Sequence, residues 1–246
     1  MRLEQAIFTS TRSERLDGYQ LAARSTGISD EIAKELTAWG PAHDSLWDNR
    51  PSARSVNLHP LSGERVCISL TTLSGGEYSG RGGGRVYTQM LVVPVDGLER
   101  FAGDPFLLLQ AVGASGRLLV HDQVPNSVPS VPLLGRSVGP ASHSLEQTVE
   151  QVGAEAIANL AEAVIASSSL SVVTDVPAER LFQTLLYHLP LEQRLSLSFT
   201  TGLKFSSRRP FRICTVPADP ALIRQSQRLT GGKTFEILTE DVSLSR

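Results

Sequence analysis

The residues with the most unusual chemistry lie in one run, Ser74-Gly75-Gly76-Glu77-Tyr78-Ser79-Gly80-Arg81-Gly82-Gly83-Gly84-Arg85. Glycine at this density frees the backbone and permits close approach. A phosphate cradle needs N–H groups converging on one point, usually at a helix amino end, with a Lys-Ser or Lys-Thr pair for nucleoside triphosphates. Here a strand pattern follows and no such lysine exists. A dinucleotide fingerprint fails too, because the glycines neither open a helix nor precede an acidic residue on a second parallel strand. Two readings remain: a solvated hairpin loop, or a contact loop in which Tyr78 and the guanidinium forks of Arg81 and Arg85 meet a partner's carboxylates or phosphates.

A second basic locus, Arg208-Arg209, follows Lys204 and precedes Pro210. It reads as a hairpin tip that is either solvated or in contact with phosphate or an acidic partner. Two adjacent arginines are too few for a nucleic-acid track. The five histidines, His43, His59, His121, His143 and His188, show no metal-ligand spacing. His121-Asp122 could orient a serine nucleophile, but no Gly-x-Ser-x-Gly elbow supplies one. The expectation is a non-enzyme, with no catalytic residue, metal or cofactor.

Composition sets the surroundings for these loci. The chain has 246 residues, 41% hydrophobic and 20% charged, enough to bury a core. A net charge of -2 gives no global field for nucleic acid or an anionic membrane. All basic residues but Lys34, Lys204 and Lys233 are arginine, a bias that could serve bidentate recognition. Cys67 and Cys214 sit in apolar extended stretches and read as reduced core residues. No run approaches the ~20 apolar residues of a membrane span, and Met1-Arg2-Leu3-Glu4-Gln5 lacks a signal peptide's apolar core, so the expected location is cytoplasmic.

The elements that must position the loci follow from periodicity. Strands are predicted over 3–9 and 18–24. Ser29 then caps a helix with Asp30 and Glu31 in its first turn, Ile32, Leu36 and Trp39 as its buried stripe, and Gly40-Pro41 as its stop. Strands over 55–58, 65–73 and 85–95 form an antiparallel meander, the last covered on both faces, and a short helix spans 105–112. The prolines and serines of 125–143 mark a connector. Beyond it, Ser144 and Gln147 are spaced as a capping box for a helix whose apolar stripe runs from Leu145 to Val164. Strands at 170–174, 195–200, 211–216 and 235–238 and helices at 177–189 and 220–229 complete a small α/β layer. The reading is thus α+β: an antiparallel sheet with flanking helices over 1–124, the Pro-rich connector, and a smaller α/β unit over 144–246.

The run Gly18-Tyr19-Gln20 with Ala23-Arg24-Ser25-Thr26-Gly27-Ile28-Ser29 resembles the opening of the N-terminal domains of bacterial GTPase-associated proteins of conflict systems. The Ser79-Gly80-Arg81 loop and Leu197-Ser198-Phe199-Thr200-Thr201 resemble later blocks of that family. The strand Tyr87-Thr88-Gln89-Met90-Leu91 departs from it in lacking a histidine. The resemblance implies a small GTPase as partner, with this chain as adaptor, platform or regulator. The order of elements is also similar to a longin module followed by a DENN-like one, the pairing found in GTPase regulators. On that analogy Arg100, after the fifth strand, is the positional candidate for a trans-acting arginine finger, with Arg81 and Arg85 as rivals.

Overall fold

The computed structural model describes residues 1–12, 17–76, 84–133, 135, 139, 142–230 and 233–239. Strands β1 (Arg2–Arg12) and β2 (Asp17–Arg24) lead into helix α1 (Asp30–Trp39), then strands β3 (Arg54–Leu61), β4 (Arg65–Gly76) and β5 (Gly84–Pro94). Two helices follow, α2 (Val95–Glu99) and α3 (Pro105–Ala114), and a two-residue strand β6 (Val131–Pro132). The rest of the chain is α4 (Ser142–Val152), α5 (Ala154–Ala166), β7 (Leu170–Thr174), α6 (Ala178–His188), α7 (Leu191–Ser196), β8 (Phe199–Thr200), β9 (Ile213–Pro217), α8 (Pro220–Thr230) and β10 (Lys233–Ile237).

One hydrogen-bonded sheet runs through the described residues in the order β10-β7-β9-β8-β3-β4-β5-β1-β2, with β6 added against β1. The β3-β4-β5-β1-β2 portion is antiparallel throughout, while β10, β7, β9 and β8 are parallel to one another. The protein is therefore α+β. β8 joins the portions through Asn57↔Thr200 and Leu58↔Phe199. β6 lies in the Pro-rich stretch and pairs with Arg2 and Leu3. Alternation of side chains explains the two coverings. Val56, Leu58, Ile68 and Leu91 face a large core under α3, α5 and α6, whereas Cys67, Met90 and Val92 face α1.

Local signals place α1. Ser29 accepts a hydrogen bond from Ile32 N (3.3 Å), Ile32 and Leu36 are buried, and Gly40 forms the carboxyl cap. The apolar spacing from Leu145 to Val164 is divided between two helices. Gly153 takes φ 87, a left-handed value that glycine adopts freely, and turns the chain between α4 and α5. Ser144 consequently lies inside α4 and caps nothing, while Gln147 meets His143 at 2.9 Å. Of the strand expected over 195–200, Leu195 and Ser196 instead close α7, which starts after Pro190, and only Phe199 and Thr200 pair as strand. No helix among the described residues is long and apolar enough to cross a membrane.

Candidate interaction site

The basic residues singled out from the sequence are dispersed. Tyr78 and Arg81 lie outside the described residues. Arg85 is buried, and its Nε and Nη2 donate to Ser74 O and Oγ, each at 3.1 Å, fastening β5 to β4. Arg100, the carboxyl cap of α2, is exposed, and its Nη2 donates to Gly135 O at 2.7 Å. Arg85 opens β5 and Arg100 comes after α2, past the strand's other end, with roughly 30 Å of extended backbone between Arg85 and Pro94. Arg208 is exposed, and its neighbour Arg209 is 7% exposed. Arg209 Nη2 reaches Ser45 Oγ at 3.5 Å, its Nε finds no acceptor, and burial pushes the guanidinium's pKa down. Arg100 and Arg208 thus present charge outward, while Arg85 and Arg209 turn theirs inward.

The buried polar groups serve packing. Asp104, fully buried, caps α3 by accepting from Phe106 N (2.8 Å) and Leu107 N (3.1 Å) and takes a third bond from Gln183 Nε2 (2.8 Å). Desolvation raises its pKa and those bonds oppose the rise. Cys67 and Cys214 are free and buried, with burial pushing the Cys214 thiol to about 12. No group of three His, Cys, Asp or Glu able to hold a metal occurs among the described residues.

A different surface is organised for contact. Strand β2 ends the sheet order, so among the described residues no strand lies on its outer edge. Helix α1 lies beside it, because Ile32 and Leu36 must cover Ala6, Phe8, Cys67, Met90 and Val92. That orientation turns the opposite flank, Asp30, Ala33, Lys34 and Thr37, toward the edge at i, i+3, i+4, i+7 spacing. Between this flank and Leu21, Ala22, Ala23 and Arg24 runs a shallow groove of about 660 Å³. The β1–β2 register shifts between Ile7 and Phe8, which pair with Ala23 and Leu21, so Ala22 is an extra residue off the ladder. At one end of the groove Val128 N donates to Arg24 O at 3.4 Å.

The charges on the groove are unequal. Arg24 Nη2 bonds Asp30 Oδ1 at 2.6 Å, which holds the Asp30 carboxyl below its usual range. Lys34 is exposed and makes no ion pair among the described residues, and its charge adds to the lowering of the Asp30 pKa. The surface therefore offers a terminal strand, small apolar side chains and one exposed ammonium. Sequence reading found β2 and α1 but not this site. Its residues become neighbours of an open edge only through the strand order, and the small residues Ala22, Ala23 and Ala33 carry no signal of their own.

The family model described as GTPase-associated protein 1, N-terminal domain type 2, matches residues 2–132, from the first residue of β1 to the last of β6. That is more than half of the chain, and the protein belongs to this family of GTPase-associated domains. Searches among curated proteins and among solved structures found no match.

Proposed function

We propose that this chain is a non-enzymatic adaptor for a small GTPase within a bacterial conflict system, and that it captures an extended, acid-bearing segment of its partner along β2. The observation that carries this reading is the open edge of β2 beside α1. A strand without an outer neighbour presents N–H and C=O groups that another chain can pair with. A helix flank alongside it forms a channel in which alternate side chains of an added strand are read. Lys34 gives that strand a preference for a carboxylate. The family supports the GTPase link.

The experiment is calorimetric titration of a small GTPase drawn from the same gene neighbourhood, if one is encoded there, into wild type, Ala22→Pro and Lys34→Glu, with phosphate release followed in parallel. Proline on an edge strand removes a donor without disturbing inner ladders. Expected are saturable binding by wild type, loss with Ala22→Pro, about tenfold weakening with Lys34→Glu, and unchanged phosphate release. Binding that both variants retain would overturn the docking site. Faster phosphate release that Arg100→Ala abolishes would instead make the protein an activator acting in trans.

A further inference from the structure

The parallel part of the sheet contains a crossing of connections that no single segment reveals. From β7 the chain passes through α6 and α7 to β8, on the far side of β9, whereas from β9 it passes through α8 to β10, on the far side of β7. The two connections use opposite faces. Leu181, Phe182 and Leu185 of α6 share a core with Leu170 and Val172 of β7, while Ser226 of α8 bonds Ser171 on the other face, Oγ to Oγ at 3.0 Å. Adjacent parallel strands whose connections diverge in this way open a crevice past their carboxyl ends, the place where open α/β sheets hold ligands.

Such a crevice is present, with a volume of about 280 Å³. Its floor is fixed: Trp47 N donates to Gly202 O (3.0 Å) and Trp47 Nε1 to Thr215 O (2.9 Å). A Cβ on Gly202 would meet Arg54 O at 2.9 Å, so the backbones approach as closely as glycine allows. The same bonds occupy acceptors at the strand ends, and donors are left over. Thr174 Oγ1 accepts from Val176 N (3.0 Å) and Thr201 Oγ1 from Val56 N (2.9 Å), which leaves each hydroxyl proton available. Arg50 and Arg54 line the wall, each guanidinium engaged by one carboxylate, Asp48 and Glu179 respectively, with N–H groups to spare.

From these spare donors at the divergence of β7 and β9, where Asp48 is the one carboxylate of the lining, we infer a binding site for a phosphate-bearing small molecule. Its phosphate meets Arg50, Arg54 and the two threonine hydroxyls, and its organic part lies against Trp47 and Val176. Glu179, in the first turn of α6, holds Arg54, and Asp48 holds Arg50, until the anion replaces them.

Calorimetric titration with inorganic phosphate, adenosine monophosphate and guanosine monophosphate tests this. Expected is saturable binding of at least one mononucleotide, with inorganic phosphate weaker because it leaves the apolar wall bare. Arg50→Gln, a change at an exposed pair that leaves the fold intact, weakens binding about tenfold, and Glu179→Gln strengthens it by removing the competing carboxylate. Absence of saturable binding for all three probes, or binding that Arg50→Gln leaves at the wild-type level, overturns the inference.

Discussion

Trp39 and His59 lie face to face, with ring centroids 4.1 Å apart and planes 11° from parallel, and Phe211 closes edge-on against both. His59 is 1% exposed and neither ring nitrogen has a hydrogen-bond partner. Burial pushes its pKa down to about 3. The unfolded chain takes a proton near pH 6.5 that the folded chain refuses until about pH 3. This residue's contribution to stability is thus complete above about pH 6.5 and is lost as pH falls, at about 1.4 kcal/mol per pH unit within that window. His59→Phe keeps the stack and removes the slope. Urea melts at neutral pH and at about pH 5 should show a smaller difference in the variant, and an unaltered difference would assign the acid sensitivity elsewhere.

Asn57 ties β3 to both neighbouring strands. Its Oδ1 accepts from Ser55 Oγ (2.7 Å) and Thr200 Oγ1 (2.6 Å), and its Nδ2 donates to Ser69 Oγ (3.0 Å) and Thr71 Oγ1 (3.3 Å). All of these groups are buried. Asn57→Leu leaves the hydroxyls without their shared partner and should cost about 3 kcal/mol in chemical denaturation. A loss below about 1 kcal/mol would show that the hydroxyls re-pair among themselves.

The Arg54–Glu179 ion pair links β3 to α6, yet its side chains are 60% and 26% exposed. Solvent screening should hold its coupling energy in a double-mutant cycle below about 1 kcal/mol and make it fall with added salt. A coupling above about 2 kcal/mol, insensitive to salt, would contradict a solvated pair.

Among the described residues Arg209 buries a guanidinium with no ion-pair partner and one nitrogen without an acceptor. Replacement by an apolar side chain of similar length relieves that desolvation. Arg209→Met should leave thermal stability unchanged or raise it by about 1 kcal/mol. Destabilisation by more than about 2 kcal/mol would mean that the guanidinium holds the 203–211 segment in place.

What the sequence discloses follows the range of the forces involved. Helix α1 is readable because Ser29, the Ile32–Leu36 stripe and Gly40 act within eleven residues of one another. The β3–β5 meander is readable because alternation and glycine-rich breaks are equally local. At Gly153 a continuing apolar rhythm conceals a break, since one left-handed residue redirects the chain without altering the spacing of Leu145 and Val164. At 195–200 the helical turn begun after Pro190 takes Leu195 and Ser196, and the strand keeps only the aromatic and β-branched pair Phe199 and Thr200. Arg85 and Arg209 read as surface residues because arginine normally is. Their burial depends on Ser74 of the neighbouring strand and on the 40–53 loop, which carries Ser45. The β2 edge and the β7/β9 crevice are products of strand order, a property that no window of sequence contains.

The seam between β3 and β8 joins the sheet through only two residues of each strand, against eight on the other side of β3. The seam between β8 and β9 is as thin, so under tension across the strands the plate would tear along β8, a built-in perforation, with the large apolar cluster beneath taking up the load afterwards. A pull delivered through a partner at one rim would therefore be felt most sharply at Phe199 and Thr200, next to the crevice.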